Sequence, residues 1–130
     1  MGSAISTYAF GMENGLRNHK NIKAMIAVQP SQYQKFVDAF GMPKFLQRSS
    51  GKLNKERTGI DMVNKSFLSD VGQINVPTLV VQNSNDPWTE MSFVDTYYAN
   101  LKVKKKMLLL DLEKNRFAAY EHLGSNRNGI

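Results

Sequence analysis

Three strand-like stretches, each rich in β-branched and aliphatic residues, are separated by segments whose apolar positions recur at helical spacing. The first is Ile22 to Val28, stopped by Pro30. The second opens at Pro77, where a strand needs no ladder donor, and runs through Thr78-Leu79-Val80-Val81-Gln82. It is apolar on both faces, as a parallel strand covered by helices should be. The third is Lys106 to Leu112. Between them, Ile5, Tyr8, Ala9 and Met12 predict an inward helix face, with Gly15 as a stop. Tyr33, Phe36, Val37 and Phe40 predict a second, opened by a Ser31/Gln34 capping box and closed at Gly41. Residues 48–59 are the most polar stretch and read as a mobile loop. Ile60, Val63, Phe67 and Leu68 give the next helical face. Phe93, Val94, Tyr97, Tyr98 and Leu101 form another behind a Thr89 cap, and Phe117 to Leu123 a last short helix.

Strands alternating with helices imply a parallel sheet with crossover connections. The expected fold is therefore α/β, a three-layer arrangement with a short parallel sheet of three strands (22–28, 78–82, 106–112) flanked by helices. Residues 1–130 make one domain, the strands lying in that spatial order. So small a sheet leaves the apolar edge Lys23-Ala24-Met25-Ile26-Ala27-Val28 as a template for pairing. The reading is a homodimer, joined through strand 22–28 or through helix 5–12.

Charge and composition narrow the function. A net charge of +6 invites nucleic acid as a partner. Yet Lys102, Lys104, Lys105 and Lys106 sit in one run before a strand, and the other bases read as scattered, which argues against it. No stretch reaches the roughly 18 apolar residues of a membrane span, and no signal peptide is apparent. With no cysteine, the chain reads as cytoplasmic, without disulfides, thiol nucleophile or cysteine-ligated zinc. His19 and His122 lack ligand spacing, so no metal is expected, and no phosphate loop or other cofactor signature is present.

The pattern Ile74-x-Val-Pro-Thr-Leu-Val-Val, then Asp86 and Thr89, a Tyr-rich helix and Lys-Lys-Met-Leu-Leu-Leu-Asp111 resembles the C-terminal half of α/β-hydrolases. It looks closest to dienelactone-hydrolase-like and related esterase-type members, over nearly the whole chain. The resemblance implies that the three strands are the sixth, seventh and eighth of that fold. Met1 to Thr7 resembles the segment just after the nucleophile of a Gly-x-Ser-x-Gly elbow. The first five strands and the elbow itself are then expected to be absent.

By that resemblance Asp86 matches the acid of a catalytic triad and Ser3 the nucleophile. The histidine's place holds Asn115, whose amide cannot serve as a general base, and His122 on the next helix is the remaining candidate. Each also has a structural reading. Ser3 can cap the first helix. Asp86 can accept bonds from amides around Trp88 to Met91, in which case its removal costs roughly 1 kcal/mol. Trp88 can line a small-molecule pocket beside Asp86, anchor a subunit contact, or pack its loop. Three functions are then in play: a catalytically degenerate hydrolase-like protein retained as a small dimeric binding or interaction fold; an esterase active when another chain supplies the missing half; and a basic interaction module. The absent elbow and Asn115 favour the first.

Overall fold

In the computed structural model, residues 2–61 and 63–125 are described. Helix α1 (Gly2–Gly11) and a short 3-10 turn (Leu16–Asn18) lead into strand β1 (Met25–Val28). Helices α2 (Tyr33–Ala39), α3 (Lys44–Thr58) and α4 (Leu68–Val71) then precede β2 (Thr78–Asn83). Helix α5 (Met91–Asn100), strand β3 (Lys105–Leu110) and helix α6 (Ala118–Ser125) complete the order.

The three strands form one all-parallel sheet in the order β1-β2-β3, with Met25 opposite Thr78 and Thr78 opposite Lys105. This is the expected α/β class and strand order. Side chains alternate across a sheet, so its two faces can be read separately. Met25, Ala27 and Val80 point into the main core, against Phe10 of α1, Val71 of α4, and Val94 and Tyr97 of α5. Ile74, Val76 and Leu101 close its rim. Val81 points the other way, where α6 lies against β2 with Ala118 and Ala119 buried. That second face is only partly covered: Ile26 is 64% exposed and Leu108 42%.

Four local expectations are corrected. Residues 48–59 are not a loop; all but Gly59 belong to the 15-residue α3. Helix α1 turns Ser3, Ala4, Thr7 and Phe10 inward, whereas Ile5 and Met12, expected inside, are exposed. Its small residues face the sheet because the backbone lies close to β1. Strand β1 starts at Met25 rather than Ile22, since Lys23 and Ala24 are exposed and add no buried face. Neither expected cap forms. The residue before α2 is Gln32 and that before α5 is Glu90, and neither donates or accepts a capping bond through its side chain. Ser31 Oγ donates to the Gln32 carbonyl (3.4 Å) instead. Gly41, placed at the end of α2, does lie just past it with φ +67°.

Candidate functional site

The C-terminal ends of β1 and β2 and the loop after β3 converge on Asp86. β2 ends in Gln82 and Asn83, polar and fully buried, because here the strand leaves the apolar core for the end of the sheet. Asn83 ties the neighbouring loops together: its Nδ2 donates to the Glu113 carbonyl (3.0 Å), and its Oδ1 accepts from the Asn85 and Leu112 amides. The turn so fixed places Asp86 inward, 9% exposed.

Four donors meet the Asp86 carboxylate. Arg116 Nη1 donates to Oδ2 in a buried ion pair. Gln29 Nε2 (3.0 Å) and Gln82 Nε2 (3.4 Å) donate to the same oxygen. The Trp88 amide donates to Oδ1 (2.9 Å). Three of these donors crowd Oδ2 and one meets Oδ1, so both oxygens are engaged. Arg116 is itself fixed on other sides: Nη2 donates to the Gln29 carbonyl (3.0 Å) and Nη1 reaches Thr89 Oγ1 (3.4 Å). Its guanidinium lies 5.6 Å from the centroid of the Trp88 ring, within cation–π range. Trp88 in turn meets Phe36, Phe40 and Phe117 edge-on or tilted, at 5.5, 5.9 and 6.1 Å between centroids. An aromatic roof thus covers a buried ion pair.

Gln29 carries the cost of this arrangement. Its φ is +46°, a left-handed conformation that non-glycine residues adopt at a penalty of about 1–3 kcal/mol. Three bonds hold it there: its amide to Val81 (2.7 Å), its side chain to Asp86, and its carbonyl to Arg116.

The remaining sequence candidates lie as follows. Ser3 is inside α1 rather than ahead of it, so it is not a cap; its Oγ donates to the Val28 carbonyl (3.4 Å) at the end of β1. The Tyr120 hydroxyl reaches the same carbonyl (3.3 Å). Thr7 Oγ1 donates to the Ser3 carbonyl (2.7 Å) and pairs with the Tyr97 hydroxyl (2.7 Å). A hydroxyl has one proton, so Tyr97 is the donor to Thr7. Burial pushes the Tyr97 phenol above its ordinary range. His122 is half-buried on α6, six residues beyond Arg116. Of the candidates, Asp86 and Trp88 share one site. Gln29, Gln82, Thr89 and Arg116 join them, none foreseen as site residues. The available signals were polar residues closing two apolar strands and an arginine leading into the apolar run Phe117-Ala118-Ala119.

Beside this centre lies a cavity of about 480 Å³ lined by Lys35, Asp38, Ala39, Asp86, Pro87, Trp88, Thr89 and Glu90. A Lys35–Glu90 ion pair (3.1 Å) lies along it. Among the described residues, no three His, Asp or Glu side chains are grouped to hold a metal ion, and no helix is long and apolar enough to cross a membrane. Comparison with protein-family models, with curated proteins and with solved structures found no match. The likeness to α/β-hydrolases therefore rests on the residue pattern alone.

Proposed function

We propose that this is an α/β-hydrolase-like protein whose acid position serves the fold rather than catalysis, and that it acts as a small dimeric binding protein. The observation that carries the reading is the buried Asp86–Arg116 ion pair, which together with two glutamine amides takes up Oδ2. A triad acid must spend one oxygen on the imidazole it orients. Asp86 gives both oxygens to Arg116, two glutamine amides and a backbone amide. Arginine stays charged at any accessible pH, so it cannot act in the base's place. Asn115, at the position that the family resemblance gives to the base, has its Oδ1 turned to the Phe117 amide (2.9 Å).

Binding then falls to the cavity beside Trp88, whose size lies within the range of small-molecule sites. Its lining couples one aromatic ring to Lys35, Asp38 and Glu90, which suits a small ligand bearing both an apolar ring and polar groups. Trp88 is the single tryptophan, so its fluorescence reports on this site alone. Dimer formation is supported by the free edge of β1 and the exposed Ile26.

Hydrolysis of p-nitrophenyl acetate tests the catalytic half of this reading. The folded chain should turn over no faster than its Ser3→Ala and His122→Ala variants. Turnover well above background that both substitutions abolish would restore Ser3, His122 and Asp86 as a working esterase site.

A further inference from the structure

Because residues 44–58 are helical, four cations that look scattered in the sequence fall on one side of α3. Lys44, Arg48, Lys52 and Lys55 succeed one another at spacings of four, four and three residues, which stacks them along one helix face. α3 holds Lys44, Arg48, Lys52, Lys55 and Arg57 against Glu56, five minus one, or four of the six net positive charges of the chain. All four stacked cations line a cavity of about 560 Å³, whose opposite wall is the turn containing Asp61, Val63 and Asn64. None of the residues around Asp86 lines it.

The wall has a structural cause. Gly51, in the middle of α3, leaves room for Val63: a β-carbon at position 51 would lie 2.8 Å from Val63 Cγ2. Glycine inside a helix is less favourable than alanine, and here it lets the turn sit against the helix. Asp61 adds one negative charge to that wall, which Lys55 offsets. Its Oδ1 accepts from the Asn64 amide (3.2 Å), its Oδ2 from Asn64 Nδ2 (3.1 Å), and Lys55 lies 3.6 Å away. These Asn64 hydrogen bonds, above all, hold the Asp61 carboxyl below its ordinary range. Lys44 is committed to Asp38 (2.6 Å). Lys52 has only a 3.9 Å approach to Glu56, and Arg48 has no ion pair among the described residues. Arg48 and Lys52, one turn apart, are the free charge of the cavity.

We infer that this cavity binds a small oligophosphate-bearing molecule, with Arg48 and Lys52 gripping the phosphates while Lys44 and Lys55 neutralise the neighbouring carboxylates of Asp38 and Asp61. A guanidinium takes phosphate oxygens in a bidentate fork, and an adjacent ammonium adds a compact charge, so a diphosphate fits the pair better than a monophosphate. Convergence on a concave space, rather than on a flat face, favours a small anion over a nucleic-acid backbone.

The test is a titration of the whole chain with inorganic pyrophosphate, monitored by amide chemical shifts at about 0.15 M salt, where unspecific surface attraction is screened. Saturable shifts confined to 44–55 and 61–64 are expected, with inorganic phosphate weaker by about tenfold. Arg48→Glu and Lys52→Glu, both on the solvated side of α3, should each weaken pyrophosphate by about tenfold or more. Gly51→Ala, which changes the wall but no charge, should weaken it too. The inference is overturned if no shift saturates, if Lys102 to Lys106 respond equally, or if Gly51→Ala binds as well as the parent. It is also overturned if single-stranded RNA binds far more tightly and loses affinity on Phe45→Ala, since the exposed Phe45 would then be stacking bases.

Discussion

At the scale of single residues, the energetics turn on Asp86 and Arg116. Sequence alone suggested an acid that receives loop amides, and one such bond is present, from Trp88. Had that been all, Asp86→Ala would cost about 1 kcal/mol. The buried guanidinium changes the magnitude, because removing one member of a buried pair leaves the other uncompensated and typically costs about 3–5 kcal/mol. Asp86→Asn should be nearly as damaging as Asp86→Ala: the amide keeps an acceptor but loses the charge. Arg116→Met should also destabilise strongly, while the Asp86→Leu, Arg116→Met double variant should cost much less than the sum. Urea denaturation of these variants beside the parent checks this, and an Asp86→Asn loss within about 1 kcal/mol would show that the clamp contributes little. Tyr97 gives a second residue-scale expectation. Burial raises its phenol, so the folded state holds the proton to higher pH than the unfolded chain does. Stability from Tyr97 is thus complete below the ordinary tyrosine range, near pH 10, and declines as pH rises through it toward the folded value. Tyr97→Phe should flatten that alkaline decline in melts run from neutral pH upward; a decline of unchanged slope would refute the assignment.

Among the elements, those legible in the sequence were the ones that bury apolar side chains. β2 stands out because Val80 and Val81 are both buried, one on each face, and α5 because Val94, Tyr97 and Leu101 return to one side. α3 left no such mark: of its fifteen residues only Gln47 is buried, and its apolar Phe45, Leu46 and Leu53 are exposed. A helix that packs so little has no hydrophobic period to read. What marks it is propensity and its end, Gly59, which takes φ +75° and returns its amide to Lys55 (2.8 Å). Reading that glycine as a helix stop rather than as part of a polar loop would have revealed the basic face as well. Gly59→Ala should therefore destabilise by about 1 kcal/mol, visible as reduced helical signal and faster amide exchange over 44–58. If exchange there is already as fast as in an unfolded peptide, α3 is not a persistent helix. The same logic explains α1. Its inward face was misassigned because contact with the sheet selected Ser3, Ala4 and Thr7, small and partly polar, over Ile5 and Met12. The Asp86 centre was half legible for a related reason. Periodicity shows where the ends of strands lie, but not which distant cation meets an acid there.

On the scale of the whole molecule, the fold is marked by a sheet face that is partly bare and by a free strand edge beside it. Ile26 and Leu108 project from that face, and among the described residues β1 has a ladder partner only in β2. An exposed strand edge of this kind is stable when another strand adds to it. Pairing of two β1 strands about a two-fold axis would make one six-stranded sheet with closed symmetry. A standard interface takes about 800 Å² from each partner, roughly a tenth of the 8201 Å² surface of this chain. The other candidate interface is α1, with its exposed Ile5 and the exposed Met12 just past its end. Sedimentation equilibrium at micromolar concentration should give twice the 14.7 kDa mass of the chain. Ile26→Lys places a charge on the edge strand, so it should return the mass to that of the monomer. The side chain is already exposed in the single chain, so the substitution should leave the fold intact, shown by an unchanged far-ultraviolet spectrum. If Ile26→Lys remains dimeric and Ile5→Lys does not, the contact is α1. A parent protein of 14.7 kDa throughout the concentration range would rule out both.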